Sequence, residues 1–167
     1  PLQPAFELVD ARRLCQQLGV ELTVVELDLL ACPEIRENGP ERCYNCKKIL
    51  FSTLQQRAAA DGYPVVLDGT NTSDDPDDRP GMSALAELGV RSPLRECGLT
   101  KGEIRLRSRQ MGLFTWSKPA YACLATRIPT GEAITGEILA RVEGAEDALF
   151  RLGYTDFRVR VFHGAAR

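Results

Sequence analysis

The sequence lacks the features that mark several large classes of protein. No apolar run approaches the roughly 20 residues of a membrane-spanning helix, and the first residues lack the basic-then-apolar order of a secretory signal. We therefore expect a cytoplasmic protein with no membrane partner. Repeats and low-complexity tracts are absent. The 23 acidic and 21 basic residues are interspersed, so no basic face favours nucleic acid, and a small-molecule ligand is easier to support.

The composition is that of an ordinary globular protein. With 167 residues, of which 44% are hydrophobic and 26% charged, the chain can bury the core of one sizeable domain, or of one domain with a small appendage. Periodicity predicts a helix over 4–18 before a strand over 20–27, and a helix over 43–60 before a short buried strand over 64–67. Two successive α-to-β steps are typical of a parallel α/β sheet.

Later segments complete the predicted order of elements. A capping-box pattern at Thr100–Glu103 begins a helix that runs to about Met111, and an apolar face predicts a helix over 138–152. The last predicted element is a strand over 157–162, whose alternation places Arg158 and Arg160 on one face and apolar residues on the other.

The polar loop after the second predicted strand is a candidate ligand site. Residues 68–79 lie at the carboxyl end of that strand, where open α/β sheets place their ligands. The loop has four further acidic residues that could bind Mg²⁺, although acidic turn residues before a Pro-Gly bend are at least as common. They are Asp74, Asp75, Asp77 and Asp78.

Three of the six cysteines stand out. Cys43 and Cys46 are three apart at the start of a predicted helix, so both thiols can share one face near the positive end of the helix dipole. That environment suits a metal or cluster ligand, a redox pair or a sulfur carrier, or else two ordinary cysteines. Cys123 lies in an irregular segment with Arg127 four residues downstream, a cation that could stabilise a thiolate or an anionic ligand, although by itself the segment is also consistent with a packed loop cysteine. Three cysteines would leave one iron of a four-iron cluster open, whereas a closed zinc site needs four ligands.

Two arginines near the end of the sequence suit an anionic ligand. Guanidinium groups on one strand face bind phosphate or carboxylate through paired hydrogen bonds, so Arg158 and Arg160 predict such a clamp, with a solvated strand face as the alternative. His163, the only histidine, could touch the same ligand.

Taken together, these motifs resemble LarE proteins and occur in the order of that family. The match runs along essentially the whole sequence. The segments that carry it are Arg42–Lys48 (RCYNCKK), Asp68–Asn71 (DGTN), Arg79–Gly81 (RPG), Glu87–Leu94 (ELGVRSPL), Leu99–Lys101 (LTK), Ala122–Arg127 (ACLATR) and Arg158–Arg160 (RVR).

The resemblance implies an α/β fold with the mostly parallel sheet of the PP-loop, or adenine nucleotide alpha hydrolase-like, type. It implies the remainder of a PP-loop ATP-binding domain over 1–118, and a sulfur-transfer segment with the start of a smaller C-terminal α/β domain over 119–167. The family's Ser-Gly-Gly-x-Asp-Ser type loop does not occur. We therefore expect the sequence to lack an N-terminal PP-loop segment and a C-terminal end.

The implied activity is an ATP-dependent, adenylating sulfur transfer that converts carboxylates of a pyridinium dicarboxylate mononucleotide to thiocarboxylates, in synthesis of the nickel-pincer nucleotide cofactor. The resemblance makes Cys123 the sulfur-handling residue. Either this cysteine gives up its own sulfur, or it holds a [4Fe-4S] cluster together with Cys43 and Cys46; the presence of all three cysteines favours the cluster.

Further roles follow from the same resemblance. Arg158, Arg160 and Arg127 are expected to bind the substrate phosphate, and Asp68, Gly69 and Asn71 are expected to bind ATP with Mg²⁺. The protein is expected to form a homo-oligomer. Two other readings remain open: a different PP-loop adenylating enzyme such as a tRNA thiolase, which the near-neutral charge disfavours, and a non-catalytic iron-sulfur or zinc-binding module.

Overall fold

In a computed structural model of the chain, the residues described are 2–75 and 80–162, with the backbone of 165–166. This part of the chain is mostly helical. The α-helices are α1 (Ala5–Leu18), α2 (Pro33–Arg36), α3 (Arg42–Ala60), α4 (Gly81–Glu87), α5 (Pro93–Glu96), α6 (Lys101–Gln110) and α7 (Gly136–Arg151). Short 3-10 turns cover Leu29–Ala31, Phe114–Ser117 and Leu124–Arg127. The strands β1 (Val161–Phe162) and β2 (Ala165–Ala166) form an antiparallel pair.

The four long helices predicted from the sequence are confirmed, and their ends follow local chemistry. Helix α1 stops at Gly19, whose φ of 66° is a left-handed conformation that favours glycine. Helix α6 starts with the predicted capping box, in which Thr100 accepts from the Glu103 N–H and the Glu103 side chain accepts from the Thr100 N–H. Helix α7 is capped by the preceding residue, Thr135, whose hydroxyl accepts from the Ile138 N–H.

The chain divides into two compact units, of which the first comprises residues 1–40 and 118–167. Its buried apolar side chains come from both stretches. They are Leu2, Leu29, Ile35, Leu124, Ala125, Ile128, Ile134, Leu139, Val142 and Val159. Asn38, with a φ of 56°, is also buried, and its amide nitrogen donates to the carbonyls of Pro129 (2.8 Å) and Glu132 (3.0 Å). This side chain therefore holds the turn that follows the Leu124–Arg127 segment.

The second unit comprises residues 41–117 and is built on the packing of α4 against α3. Gly81 lies so close to α3 that an added Cβ would come 2.7 Å from Cδ of Lys47 and 3.3 Å from the carbonyl oxygen of Cys43. Ala84 and Leu85 on α4 are buried. The contact between the two helices is close because the residue at the crossing is glycine.

The predicted parallel sheet does not appear among the described residues. Residues 20–27 form no strand, and the segment 64–67 makes only an isolated parallel bridge between Leu67 and Arg91. The predicted strand over 157–162 pairs only at Val161–Phe162, and it pairs antiparallel. Alternation indicates which residues could pack on one face of a sheet. A strand forms only where a second strand pairs with its backbone N–H and C=O groups, and the alternation does not identify that second strand.

Among the residues described, no helix is long and apolar enough to cross a membrane. The predicted division into domains over 1–118 and 119–167 stays a prediction. Residues 1–40 belong to the same compact unit as residues 118–167.

Candidate functional site

The segment around Cys123 is anchored by its own backbone. Cys123 is half-buried, and its carbonyl accepts hydrogen bonds from the N–H (3.0 Å) and the hydroxyl (2.8 Å) of Thr126. The next two residues, Leu124 and Ala125, are completely buried, and the Leu124 N–H donates to the carbonyl of Leu2 at 2.9 Å. The cysteine therefore lies at the edge of a fixed turn, with its side chain partly accessible.

Arg127, predicted to bind substrate phosphate, has a different set of partners in this structure. Its guanidinium is fully buried and makes a two-point contact with Glu146, from Nε at 2.9 Å and from Nη2 at 3.1 Å. Its Nη1 donates to the carbonyl of Ala122 (2.9 Å), the carbonyl of Cys123 (3.3 Å) and the hydroxyl of Thr126 (2.9 Å). Phosphate binding by Arg127 stays a prediction, and it would require some of these contacts to break.

Glu146 on α7 is a buried carboxylate with several donors around it. Besides Arg127, it accepts from the Val159 N–H at 2.8 Å and from the hydroxyl of Tyr121. Burial pushes the pKa of Glu146 upward, but the hydrogen bonds from Arg127, Tyr121 and Val159 outweigh it and hold the pKa below its usual value. Burial and the neighbouring Glu146 raise the pKa of Tyr121. At pH 7 the carboxyl group of Glu146 is therefore ionised and the hydroxyl of Tyr121 is neutral.

The two arginines of the predicted phosphate clamp lie on the exposed side of their segment. Arg158 and Arg160 are exposed, and Val159 between them is 9% exposed, as the alternation predicts for these three residues. Nη2 of Arg158 donates to the carbonyl of Ala120 at 3.2 Å. Both guanidinium groups are therefore accessible to an anion, and their binding of phosphate remains a prediction.

Cys43 and Cys46 lie in the first turns of α3, as predicted. Cys43 is exposed and Cys46 is half-buried, and Nη2 of Arg42 lies 3.3 Å from Sγ of Cys43. In the same part of α3, Tyr44 and Lys48 both donate hydrogen bonds to Glu87 of α4, which ties this end of α3 to α4. The hydrogen bonds from Tyr44 and Lys48 lower the pKa of Glu87.

The predicted convergence of the three cysteines stays a prediction. Cys43 and Cys46 belong to the unit over 41–117, and Cys123 belongs to the other unit. Among the described residues, no group of three or more His, Cys, Asp or Glu side chains is arranged to hold a metal ion. The six cysteines all lie in the described part of the chain, and no disulfide bond joins any two of them.

The predicted nucleotide-binding loop is held by its own side chains. Asp68 accepts from the N–H (3.2 Å) and hydroxyl of Thr70 and from the hydroxyl of Ser92 at 2.6 Å. Asn71 accepts from the Ser73 N–H at 3.0 Å. An added Cβ at Gly69 would meet no atom within 4 Å, so open space adjoins the loop there.

Two of the acidic residues proposed for Mg²⁺ are visible in this loop. Asp74 accepts from the Asn71 N–H at 2.9 Å through Oδ2, and this contact favours the turn interpretation for that residue. Asp75 is exposed. The remaining predicted residues, Asp77, Asp78 and His163, and the motif residue Arg79, lie outside the described part of the chain.

Sequence reasoning missed Glu146 and Tyr121, although one of them left a signal. Glu146 shares the buried face of α7 with Leu139 and Val142, so a charged residue interrupts an otherwise apolar stripe. Carboxylates are almost never buried without a partner, and this position therefore indicated a buried cation elsewhere in the sequence. No comparable pattern marks Tyr121.

Comparison with known proteins adds to this geometry. No family model matches the chain. An uncharacterized protein of Synechocystis is 46% identical over 96% of this chain and 60% of its own length. The pyridinium-3,5-bisthiocarboxylic acid mononucleotide synthase of Lactiplantibacillus plantarum is 36% identical over 96% of this chain and 58% of its own length. An uncharacterized protein of Methanocaldococcus jannaschii is 32% identical over 90% of this chain and 57% of its own length.

The chain thus spans less than two thirds of the length of each of these relatives. Within that span, the match to the synthase covers nearly all of the chain, including the turn that holds Cys123 and the exposed arginines that follow α7. With the motifs of the family present in the order of the family, the chain belongs to the LarE-type proteins.

Proposed function

We propose that the full-length protein is an ATP-dependent sulfur transferase, and that it converts carboxylates of a pyridinium dicarboxylate mononucleotide to thiocarboxylates. The observation that carries the proposal is the 36% identity to a synthase whose name states the bisthiocarboxylic acid product. That similarity extends over 96% of this chain, and so includes every residue to which we give a role. The activity itself is a property of the full-length protein.

The chemistry divides into two steps that balance. A substrate carboxylate oxygen attacks the α-phosphorus of ATP, and pyrophosphate leaves to give an acyl adenylate. A sulfur nucleophile then attacks the acyl carbon, and AMP leaves with the former carboxylate oxygen. The first step makes the carbonyl reactive, and the second forms the carbon-sulfur bond of the thiocarboxylate.

Cys123 is the residue that we place at the sulfur-transfer step. Its half-buried position on a fixed turn suits a nucleophile or donor that must meet one carbon atom, since catalytic groups held by a rigid backbone lose little entropy on reaction. The exposed guanidinium groups of Arg158 and Arg160 supply charge-assisted hydrogen bonds to the substrate phosphate. Together these residues would fix the nucleotide at one end and present sulfur at the other.

The source of the sulfur gives the proposal two versions. Thiolates are the usual ligands of iron-sulfur clusters, so Cys43, Cys46 and Cys123 fit a [4Fe-4S] cluster by the chemistry of their donor atoms. Such a cluster, when bound, would supply sulfide at its open iron. In the other version the Cys123 thiolate itself displaces AMP to form a thioester, and elimination then removes the Cα proton and breaks the Cβ–S bond, which leaves the sulfur on the substrate and dehydroalanine in the chain. We favour the cluster, because Cys43 and Cys46 lie three residues apart at the start of α3.

The loop that begins at Asp68 is the part of this chain that we propose to contact ATP with Mg²⁺. Its backbone is held in shape by the contacts of Asp68 with Thr70 and Ser92, while open space adjoins Gly69. We also propose that residues 20–27 and 64–67 are strands of a parallel PP-loop sheet in the full-length protein. Several apolar residues of these two segments are exposed, as expected for strand residues that lack neighbouring strands. They are Val20, Leu22, Val24, Val65 and Leu67.

The decisive experiment supplies the full-length protein, purified without oxygen, with ATP, Mg²⁺, inorganic sulfide and pyridinium-3,5-dicarboxylate mononucleotide. We expect AMP and pyrophosphate in equal amounts and a thiocarboxylate product by mass spectrometry. A parallel reaction contains unmodified tRNA in place of the mononucleotide. Thiolated tRNA with no change in the mononucleotide would contradict the proposal and favour the tRNA thiolase; no reaction with either substrate, from protein that binds iron, would favour a non-catalytic module.

A further inference from the structure

The buried ion pair in the first unit connects two parts of the proposed site. The side chains of Arg127 and Glu146 are 0% and 1% exposed, and they meet through two hydrogen bonds at 2.9 and 3.1 Å. A two-point contact between a guanidinium and a carboxylate fixes both distance and orientation. The pair is therefore a rigid element inside the unit.

The third guanidinium nitrogen of Arg127, Nη1, donates hydrogen bonds to the backbone around Cys123. Nη1 lies 2.9 Å from the carbonyl of Ala122 and 3.3 Å from the carbonyl of Cys123. These two carbonyls flank the Cα of Cys123, so the guanidinium sets the plane of the peptide groups on which the cysteine side chain is carried. The ring of Tyr121 adds a further contact, with its centroid 4.5 Å from Cζ of Arg127.

Glu146 extends the connection to the exposed arginines. Its Oε1 accepts from the Val159 N–H at 2.8 Å, and Val159 is the residue between Arg158 and Arg160. A second link runs in parallel, because Nη2 of Arg158 donates to the carbonyl of Ala120 at 3.2 Å. Residues 120–123 and 158–160 are therefore held to each other by side-chain contacts at two places.

We infer that Arg127 and Glu146 are positioning residues that fix the sulfur of Cys123 relative to the phosphate clamp of Arg158 and Arg160. The inference rests on the proposed function and adds a role that neither residue had there. A substrate held by its phosphate presents its carboxyl group at a set distance, so the reaction rate depends on the separation between cysteine and clamp. A shift of about 1 Å in such a separation can cost on the order of 100-fold in rate.

A purely structural role for the pair makes a different prediction. Buried ion pairs are often replaceable by apolar residues of similar size with little loss of stability, whereas removal of one partner is strongly destabilising. If the pair served stability alone, any variant that folds would react at the normal rate. If it positions the cysteine, a folded variant without the pair would bind substrate normally and transfer sulfur slowly.

The test compares four variants of the full-length protein. Arg127→Lys and Glu146→Gln weaken the pair while keeping most of its volume, and the double change Arg127→Met with Glu146→Leu replaces it by apolar side chains. The matched control is Glu137→Gln on the same helix, since Glu137 forms an exposed i,i+4 pair with Arg141 at 2.9 Å. Circular dichroism gives the folded fraction, by which every rate is divided.

We expect the pair variants to lower the single-turnover rate of thiocarboxylate formation by about 10- to 100-fold, with substrate Kd changed by less than about threefold. Glu137→Gln should match the wild type in both quantities. If a single change prevents folding, the apolar double variant decides the question. A normal single-turnover rate in any folded pair variant would overturn the inference.

A second measurement separates this inference from the proposed function. Alkylation of Cys123 by iodoacetamide, followed by peptide mass spectrometry, needs no substrate. The pair variants should change its rate by about fivefold or more, because the turn that carries the thiol is no longer held, while exposed Cys97 on the same molecule keeps its rate. An unchanged Cys123 rate contradicts the inference, whereas wild-type protein without sulfur transfer contradicts the proposed function alone.

Discussion

Replacement of Asn38 by Ala should destabilise the protein by about 3 kcal/mol. The Asn38 amide donates to the carbonyls of Pro129 at 2.8 Å and Glu132 at 3.0 Å, and each such bond has a net value of about 1 kcal/mol. The left-handed φ of 56° adds about 1 kcal/mol, because alanine tolerates this conformation less well than asparagine. The loss is large because Asn38 is only 1% exposed, so water cannot replace the amide.

Asp156 offers a matched control for the backbone contribution. It has the same φ of 56° but is exposed, so Asp156→Ala should lose only the conformational part, about 1 kcal/mol. Urea unfolding of the full-length variants, followed by far-UV circular dichroism, measures both changes. If Asn38→Ala and Asp156→Ala differ by less than about 0.5 kcal/mol, the amide does not hold the turn after Arg127 and the reasoning is refuted.

Three further predictions concern the site. Because the folded-state pKa of Glu146 is lowered, its contribution to stability is present above its ordinary pKa of 4.5 and is lost as the pH falls through the folded-state value; urea midpoints at pH 7 and pH 4 should therefore differ less in Glu146→Gln than in wild type. Arg158→Ala or Arg160→Ala should weaken binding of the mononucleotide, measured by calorimetry, by about 1.5 to 3 kcal/mol. Cys43→Ser or Cys46→Ser should abolish cluster-dependent turnover but leave one sacrificial turnover intact, after which the chain would be lighter by the mass of hydrogen sulfide, about 34 Da.

The chain offers a control for each of these predictions. Glu137→Gln removes an exposed carboxylate of α7 and should leave the pH dependence unchanged. Arg151→Ala removes an exposed arginine of the same helix and should leave substrate affinity unchanged. Cys97→Ser removes an exposed thiol and should leave cluster-dependent turnover unchanged. If a control variant and the variant that it controls had equal effects, the corresponding prediction would be contradicted. Unchanged substrate affinity in both Arg158→Ala and Arg160→Ala would also contradict the prediction for the phosphate clamp.

The sequence predicted the helices because their signals are local. The apolar stripe of α7 and the capping box at Thr100 depend on residues within one or two turns, and both appear as expected. The strand over 20–27 did not form, since its apolar alternation requires a neighbouring strand that the pattern itself does not specify. Helix prediction needs one segment, and strand prediction needs two.

The candidate site shows the same division between local and distant information. Alternation correctly placed Arg158 and Arg160 on the exposed side of Val159. The partner of Arg127 could not be deduced, because Glu146 lies 19 residues away and chain folding brings the two charges together. The family resemblance predicts that Arg127 binds the substrate phosphate, and this stays a prediction; in the structure the guanidinium contacts the backbone of the cysteine segment and a buried carboxylate.

The most direct test of the central claim is thiocarboxylate formation by the full-length protein with Cys123→Ser, measured beside Cys97→Ser. Cys123 is the donor in one version of the mechanism and a cluster ligand in the other, so its loss should abolish product in both. Cys97 is exposed and has no role in either version, so Cys97→Ser should react at the wild-type rate. Thiocarboxylate made at the wild-type rate by folded Cys123→Ser protein would contradict the assignment of sulfur transfer to this cysteine.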